Sequence, residues 1–147
     1  MARPKALAPF ASSDDTEQQF YEALQRGDLE RLMAVWSDDD DICCVPPGGA
    51  RLLGAAAIRE SFKAMFAVGA VPALPERVRR VVGLTSAVHS VLERIHVKTA
   101  DGVRTAWVVS TNVYVKAAQG WRMVAHHSSP AAPGEVQELV EASATLH

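Results

Sequence analysis

A chain of 147 residues, 48% apolar and 22% charged, has the size and composition of one globular domain around one core. Its formal net charge of −2 leaves no basic surplus for nucleic acid, and no apolar run approaches the roughly 18 residues of a membrane helix. Neither nucleic acid nor a membrane is therefore an expected partner.

Met1 to Ala11 carries Arg3 and Lys5, but Pro4 and Pro9 break its short apolar portion. It makes a poor secretory signal and reads as part of a loose arm over residues 1–13. Asp14 followed three residues later by Glu17 has the form of a capping box. Phe20, Tyr21 and Leu24 then supply the apolar stripe of a first helix, which Gly27 ends. Asp28 can cap a second helix, in which Leu29, Leu32, Met33 and Trp36 recur at helical spacing. The four acids Asp38 to Asp41 end it. They lack the glycine turn and closing Glu of a calcium loop and read as a solvated connection.

Ile42 to Val45 predicts a short strand holding the only cysteines, Cys43 and Cys44. Neighbouring strand positions face opposite ways and a vicinal disulfide is strained, which implies two reduced thiols in a cytoplasmic protein. In packing terms they read as small core residues. Pro46 to Gly49 is a turn or loop, and Gly54 precedes a third helix with Ile58, Phe62, Met65 and Phe66 on one face. A connection over Gly69 to Pro75 closes the helical half.

There the period changes. Val78 to Leu84, Ala87 to Lys98, Val103 to Lys116 and Trp121 to Ser129 all read as strands. Asp101-Gly102 and Gln119-Gly120 favour antiparallel hairpins between the last three. Residues 131–147 form a tail, with a short helix predicted over 134–144 from Val136, Leu139 and Val140. Helices first and a strand meander afterwards predict an α+β domain over residues 14–130, with helices packed on a curved antiparallel sheet. Trp107, Val109 and Val113 lie on one alternation of a long strand, and Val108 and Tyr114 on the other. A sheet wetted on one face should alternate apolar with polar, so both faces are expected to be covered. Helices would cover one, and a second copy would pack on Trp107, Val109 and Val113 to make a homodimer.

The ordered pieces Phe20-Tyr21-Glu22-Ala23-Leu24-Gln25-Arg26-Gly27-Asp28-Leu29, Trp36-Ser37-Asp38-Asp39, Gly54 with Ile58 and Phe62, and Gly120-Trp121-Arg122-Met123-Val124 resemble the nuclear transport factor 2-like superfamily. Within it, the chain resembles the SnoaL-like and ketosteroid-isomerase-like branch, from about Asp14 to Pro130. The resemblance implies a cone whose mouth lies between helices and sheet. It does not imply one activity, because this fold hosts isomerases, cyclases, dehydratases, binding proteins and association domains. The isomerases of the fold use an Asp base, a Tyr donor and a protonated Asp. Counted along the resemblance, those positions fall on Cys44, Phe20 and Asn112, and two further pocket aromatics fall on Trp36 and Phe62. The carboxylate base and the phenol at these positions are thus absent, while Asn112 keeps a hydrogen-bond donor.

If Asn112 points inward, alternation sends Ser110 and Tyr114 inward with it. The same register along Gly120 to Pro130 sends Ala125, His127 and Ser129 inward and His126 outward, an assignment that one β-bulge would invert. The two adjacent histidines diverge and form no metal pair; neither a metal nor a cofactor is expected. His127 then reads either as a general acid–base or as a buried histidine satisfied by Ser110 or Asn112. Phe20, Tyr21, Trp36, Cys44, Phe62, Ser110, Tyr114 and Ser129 are the expected ligand-binding residues. His89 and Glu93 share one strand face, either adding a carboxylate to the cavity or sitting at a solvated or dimer rim. The expected function is binding of a small apolar carbonyl-containing metabolite, with isomerase, cyclase or hydrolase chemistry carried by His127 and Asn112. The alternative is a non-catalytic ligand-binding or association module.

Overall fold

A computed structural model describes residues 10–132. Helix α1 spans Ser13–Arg26, and its N-cap is Ser12, whose side chain accepts the Asp15 amide. The cap therefore lies upstream of Asp14, and Glu17 is free to turn into the protein, where it is 5% exposed. Gly27, at φ 65°, closes α1 in the left-handed conformation that a side chain would disfavour. Asp28 caps α2, Leu29–Ala34. Trp36 lies beyond that helix and bridges to Met123.

Strands β1, Cys43–Val45, and β2, Leu52–Leu53, precede α3, Gly54–Val68. The meander follows as β3, Ala73–Val82, β4, Ser86–Thr99, β5, Gly102–Ala117, and β6, Gly120–Pro130. Strand β3 begins five residues before the predicted Val78. It is an edge strand, so Pro75 can sit in it without breaking an interior ladder. The sheet order is β2-β1-β6-β5-β4-β3. The meander is antiparallel, as its turns predict, but β1 runs parallel to β6, which makes the curved sheet mixed.

The helices cover one face. Phe20, Tyr21, Leu24, Leu32, Ile58 and Phe62 meet Val91, Tyr114, Trp121 and Met123 in a single core. On the other face Trp107, Val109 and Val113 are half-buried, and Val88 and Val115 are exposed.

The ladder between β5 and β6 shifts register between two pairs, Val113 with Ala125 and Tyr114 with Met123. Val124 is therefore an extra residue. Before this bulge the odd-numbered Trp121 and Met123 are buried; after it the even-numbered His126 and Ser128 are. The expected orientation of the histidines is thus reversed: His126 points inward, while His127 and Ser129 are exposed. The bulge falls where β6 changes neighbours. Met123 exchanges backbone hydrogen bonds with Val35 and Ser37, whereas Ala125 to His127 pair with β1. The predicted helix over 134–144 and most of the predicted arm lie outside the described residues. Among the described residues no helix is long and apolar enough to cross a membrane.

Candidate functional site

Register brings His89, Asn112, His126 and Cys44 into one row across β4, β5, β6 and β1. Above the row runs α1, whose Ser13, Glu17, Tyr21 and Leu24 recur on one helical face and are all buried. The sequence thus stacks a polar helix stripe on a polar strand row, and each buried polar group there needs a partner.

The partners form a continuous network. Oε2 of Glu17 receives Tyr114 Oη at 2.7 Å and Asn112 Nδ2 at 3.3 Å, and His89 Nδ1 lies 2.8 Å from it. Ser13 Oγ is 2.9 Å from His89 Nε2. Asn112 Nδ2 also donates to Tyr21 Oη at 3.1 Å, and Tyr21 donates in turn to Glu93 Oε2 at 2.7 Å. On its other side, Asn112 Oδ1 meets His126 Nδ1. His126 Nε2 then lies 3.0 Å from Ser128 Oγ, which is 2.7 Å from Ser110 Oγ.

One part of this network opens on a cavity of about 190 Å3. Its walls are mainly apolar, with Leu24, Phe62, Met65 and Ile95 among them; Ser61, Glu93, His126, Ser128 and Cys44 supply its polar groups. Two wider hollows, of about 380 and 440 Å3, lie on either side of Trp36 and Asp38, and no residue of the network lines them.

Burial governs the protonation states. It lowers the His126 pKa below its ordinary 6.5, against the opposing charges of Glu93 and Glu17. The ring is therefore neutral at neutral pH. Because Asn112 Oδ1 can only accept, Nδ1 carries the proton and Nε2 keeps a lone pair. Burial, reinforced by the nearby carboxylate Glu93, raises the Tyr21 phenol well above its usual range, and burial with Glu17 does the same for Tyr114. Both phenols stay protonated donors. Burial, with Cys43 and Glu93, pushes the Cys44 thiol up to about 12, so it is neither thiolate nor base at neutral pH.

Of the residues predicted for the ligand site, Cys44 and Phe62 line the cavity. Phe20 sits behind it, with its ring 4.9 Å from that of His126. Tyr21, Ser110, Asn112 and Tyr114 are buried in the network rather than in the cavity wall. Trp36 lines the two outer hollows. His127 and Ser129 are exposed and stand apart from these groups. Asn112 has committed its Nδ2 to Glu17 and Tyr21, so it holds other side chains and has no hydrogen to spare for a substrate oxyanion. Tyr21, next to Phe20, carries a phenol, but its hydrogen goes to Glu93.

Glu17, His89 and His126 join the network although none was an expected site residue, and Glu93 adds a carboxylate to the cavity, one of the two placements expected for the His89 and Glu93 face. His89 and Glu93 share the alternation of Ala87 and Val91, and all four are buried, so this face turns inward and is not a solvated rim. For Glu17 the signal was its spacing from Ser13 and Tyr21, masked by its resemblance to a cap residue.

Comparisons with known proteins agree with this architecture. A model of the SnoaL-like domain matches residues 14–133. A structure from Thiobacillus denitrificans, provisionally described as a calcium/calmodulin-dependent protein kinase type II association domain, is 33% identical, with a TM-score of 0.76. The match covers 84% of this chain and 98% of that one. A provisional dehydratase of the nuclear transport factor 2-like family from Streptomyces avermitilis is 27% identical at a TM-score of 0.71, covering 79% of this chain and 91% of its own. A cystatin-like fold from Caulobacter vibrioides, 18% identical at a TM-score of 0.71, covers 85% of this chain and 91% of its own and shares the fold alone. No curated protein matches the chain.

Proposed function

The chain belongs to the SnoaL-like domain family, and we propose that it is a cofactor-independent acid–base enzyme acting on a compact, mostly apolar carbonyl compound. The observation that carries this reading is the placing of His126 and Glu93 on one apolar cavity, each held by a buried partner. A neutral histidine with its Nε2 lone pair available is a general base near neutral pH. The Ser128 hydroxyl that occupies Nε2 can turn to Ser110 when a substrate arrives.

In this reading Nε2 takes a proton from the carbon beside the substrate carbonyl. The imidazolium then returns it to the γ-carbon of the resulting dienolate, which is isomerisation of an enone, or to a departing β-hydroxyl, which leaves as water and is dehydration. The likeness to the Streptomyces protein supports the second outcome. Glu93, held by Tyr21, is the second proton-transfer group. The cavity, at about 190 Å3, is smaller than the roughly 300–1,000 Å3 of drug-sized sites, so single-ring or short-chain substrates fit its scale.

Deuterium exchange from heavy water into a panel of single-ring enones and β-hydroxy ketones, followed by proton NMR, tests the reading. The wild-type protein should accelerate exchange, and His126→Ala should lower the rate by about 10²–10⁴-fold. Exchange that survives His126→Ala unchanged removes His126 as the base.

A second reading, a non-catalytic association module, draws support from the Thiobacillus protein's description. Either reading includes a homodimer through the outer sheet face, where Trp107, Val109 and Val113 are incompletely covered within one chain. A monomer in sedimentation at micromolar concentration would remove the dimer. The free Cys43 and Cys44 support a reducing, cytoplasmic setting.

A further inference from the structure

Glu17 touches no wall of the cavity, yet its contacts reach the group that does. A carboxylate oxygen offers only lone pairs, and Oε2 of Glu17 stands before three donors: His89 Nδ1, Asn112 Nδ2 and Tyr114 Oη. An Asn side chain has two chemically different ends, and its neighbours decide which way it turns. With Glu17 on one side, the NH2 end of Asn112 must face α1. Tyr21 reinforces this, because its own hydrogen goes to Glu93 and its oxygen is left to accept from Nδ2. The carbonyl end is thereby turned toward β6, where it meets His126 Nδ1. Nδ1 must then carry the imidazole proton, and the lone pair is forced onto Nε2.

We infer that Glu17 is a positioning residue which, through Asn112, fixes His126 in the tautomer whose Nε2 is the proton acceptor. The Asn112 amide is the hub: one face is set by Glu17 and Tyr21, the other sets His126. A flipped amide would present NH2 to Nδ1, move the imidazole proton to Nε2 and leave the base without a lone pair there. This role rests on the acid–base reading proposed above for its catalytic meaning, but the tautomer itself can be observed without any substrate.

The test is long-range proton–nitrogen correlation NMR of the 15N-labelled full chain, held above the pH at which His126 titrates. Wild-type protein should show His126 with its proton on Nδ1 alone. In Glu17→Gln the side chain brings two hydrogens and a weaker acceptor to a site crowded with donors, so Asn112 is released and both tautomers should appear. Adding Asn112→Asp to Glu17→Gln should restore the Nδ1 proton, because either oxygen of an Asp can only accept. On an exchanging substrate, Glu17→Gln should lower kcat by about tenfold and leave KM within about twofold, the pattern of a lost transition-state group rather than lost binding.

A wild-type His126 protonated on Nε2 overturns the inference by itself, even if the variants fail to fold. A Glu17→Gln protein that is folded by thermal unfolding and still shows only the Nδ1 tautomer also overturns it. If the tautomer follows Glu17 while His126→Ala leaves exchange intact, the positioning device stands and the proposed function falls.

Discussion

The buried network has two ends of similar composition and different surroundings. At one end His89 lies between Ser13 and Glu17, and these residues with Tyr114 line none of the three hollows described. At the other end His126 lies between Asn112 and Ser128 and faces an apolar cavity together with Glu93. Each histidine has a hydroxyl on Nε2 and an oxygen acceptor on Nδ1. Side-chain chemistry alone does not separate them. What separates them is the space beside α3 and β1, where Phe62, Met65 and Cys44 leave room for a ligand. Of the two, the His126 end is the one that borders a described hollow, and that makes His126 the candidate base.

The contrast should be largest in stability. Glu17→Ala strands three donors in the interior and should cost about 3–5 kcal/mol in urea unfolding. Glu93→Ala removes a carboxylate at a cavity wall, where water can take its place beside Tyr21, and should cost about 1–3 kcal/mol. Equal losses would erase the distinction between sealed and open ends. Tyr21→Phe joins the two regions. It removes the hydroxyl between Asn112 and Glu93 and should cost about 1–2 kcal/mol, with a fall in exchange activity out of proportion to that change.

A smaller effect comes from pH. The His126 pKa in the folded protein lies below the 6.5 expected of an exposed histidine, chiefly through burial. Between the two values the unfolded chain binds the extra proton and the folded chain does not. Stability is therefore retained above pH 6.5 and lost as the pH falls through the folded value. His126→Gln should flatten that part of the stability profile, and an unchanged slope would place the titration elsewhere. The wild-type exchange rate should persist below pH 6.5 before it falls, because the base remains unprotonated there.

The smallest expected effect is at Cys44. Its thiol, pushed up to about 12, should resist iodoacetamide in the folded protein near neutral pH while Cys43, which is half-buried, reacts first. Mass spectrometry after partial alkylation checks the order. Rapid modification of Cys44 would show a more open cavity floor.

Much of the fold was legible because its signals are local. The apolar spacing of Phe20, Leu24, Ile58 and Phe62 marks helices, and Asp101-Gly102 and Gln119-Gly120 mark hairpins. Asn112 was readable as an inward polar residue through the resemblance of the chain to its family, and it is buried. The parallel pairing of β1 with β6 was not readable, since three residues, Cys43 to Val45, carry no mark of the strand they will join.

His126 and His127 show where local signals stop. Their residue types, and the fact that they must face opposite ways, follow from the sequence alone, because strand neighbours diverge whatever the register. Which of them enters the interior depends on one extra residue, Val124, set among apolar neighbours that fit either face. That choice was made by the change of β6 from pairing with Val35 and Ser37 to pairing with β1, contacts made with residues about 80–90 positions away along the chain. The sequence by itself determined that this strand would offer one histidine to the inside. Tertiary packing decided that it is His126, because a bulge inverts every side chain that follows it.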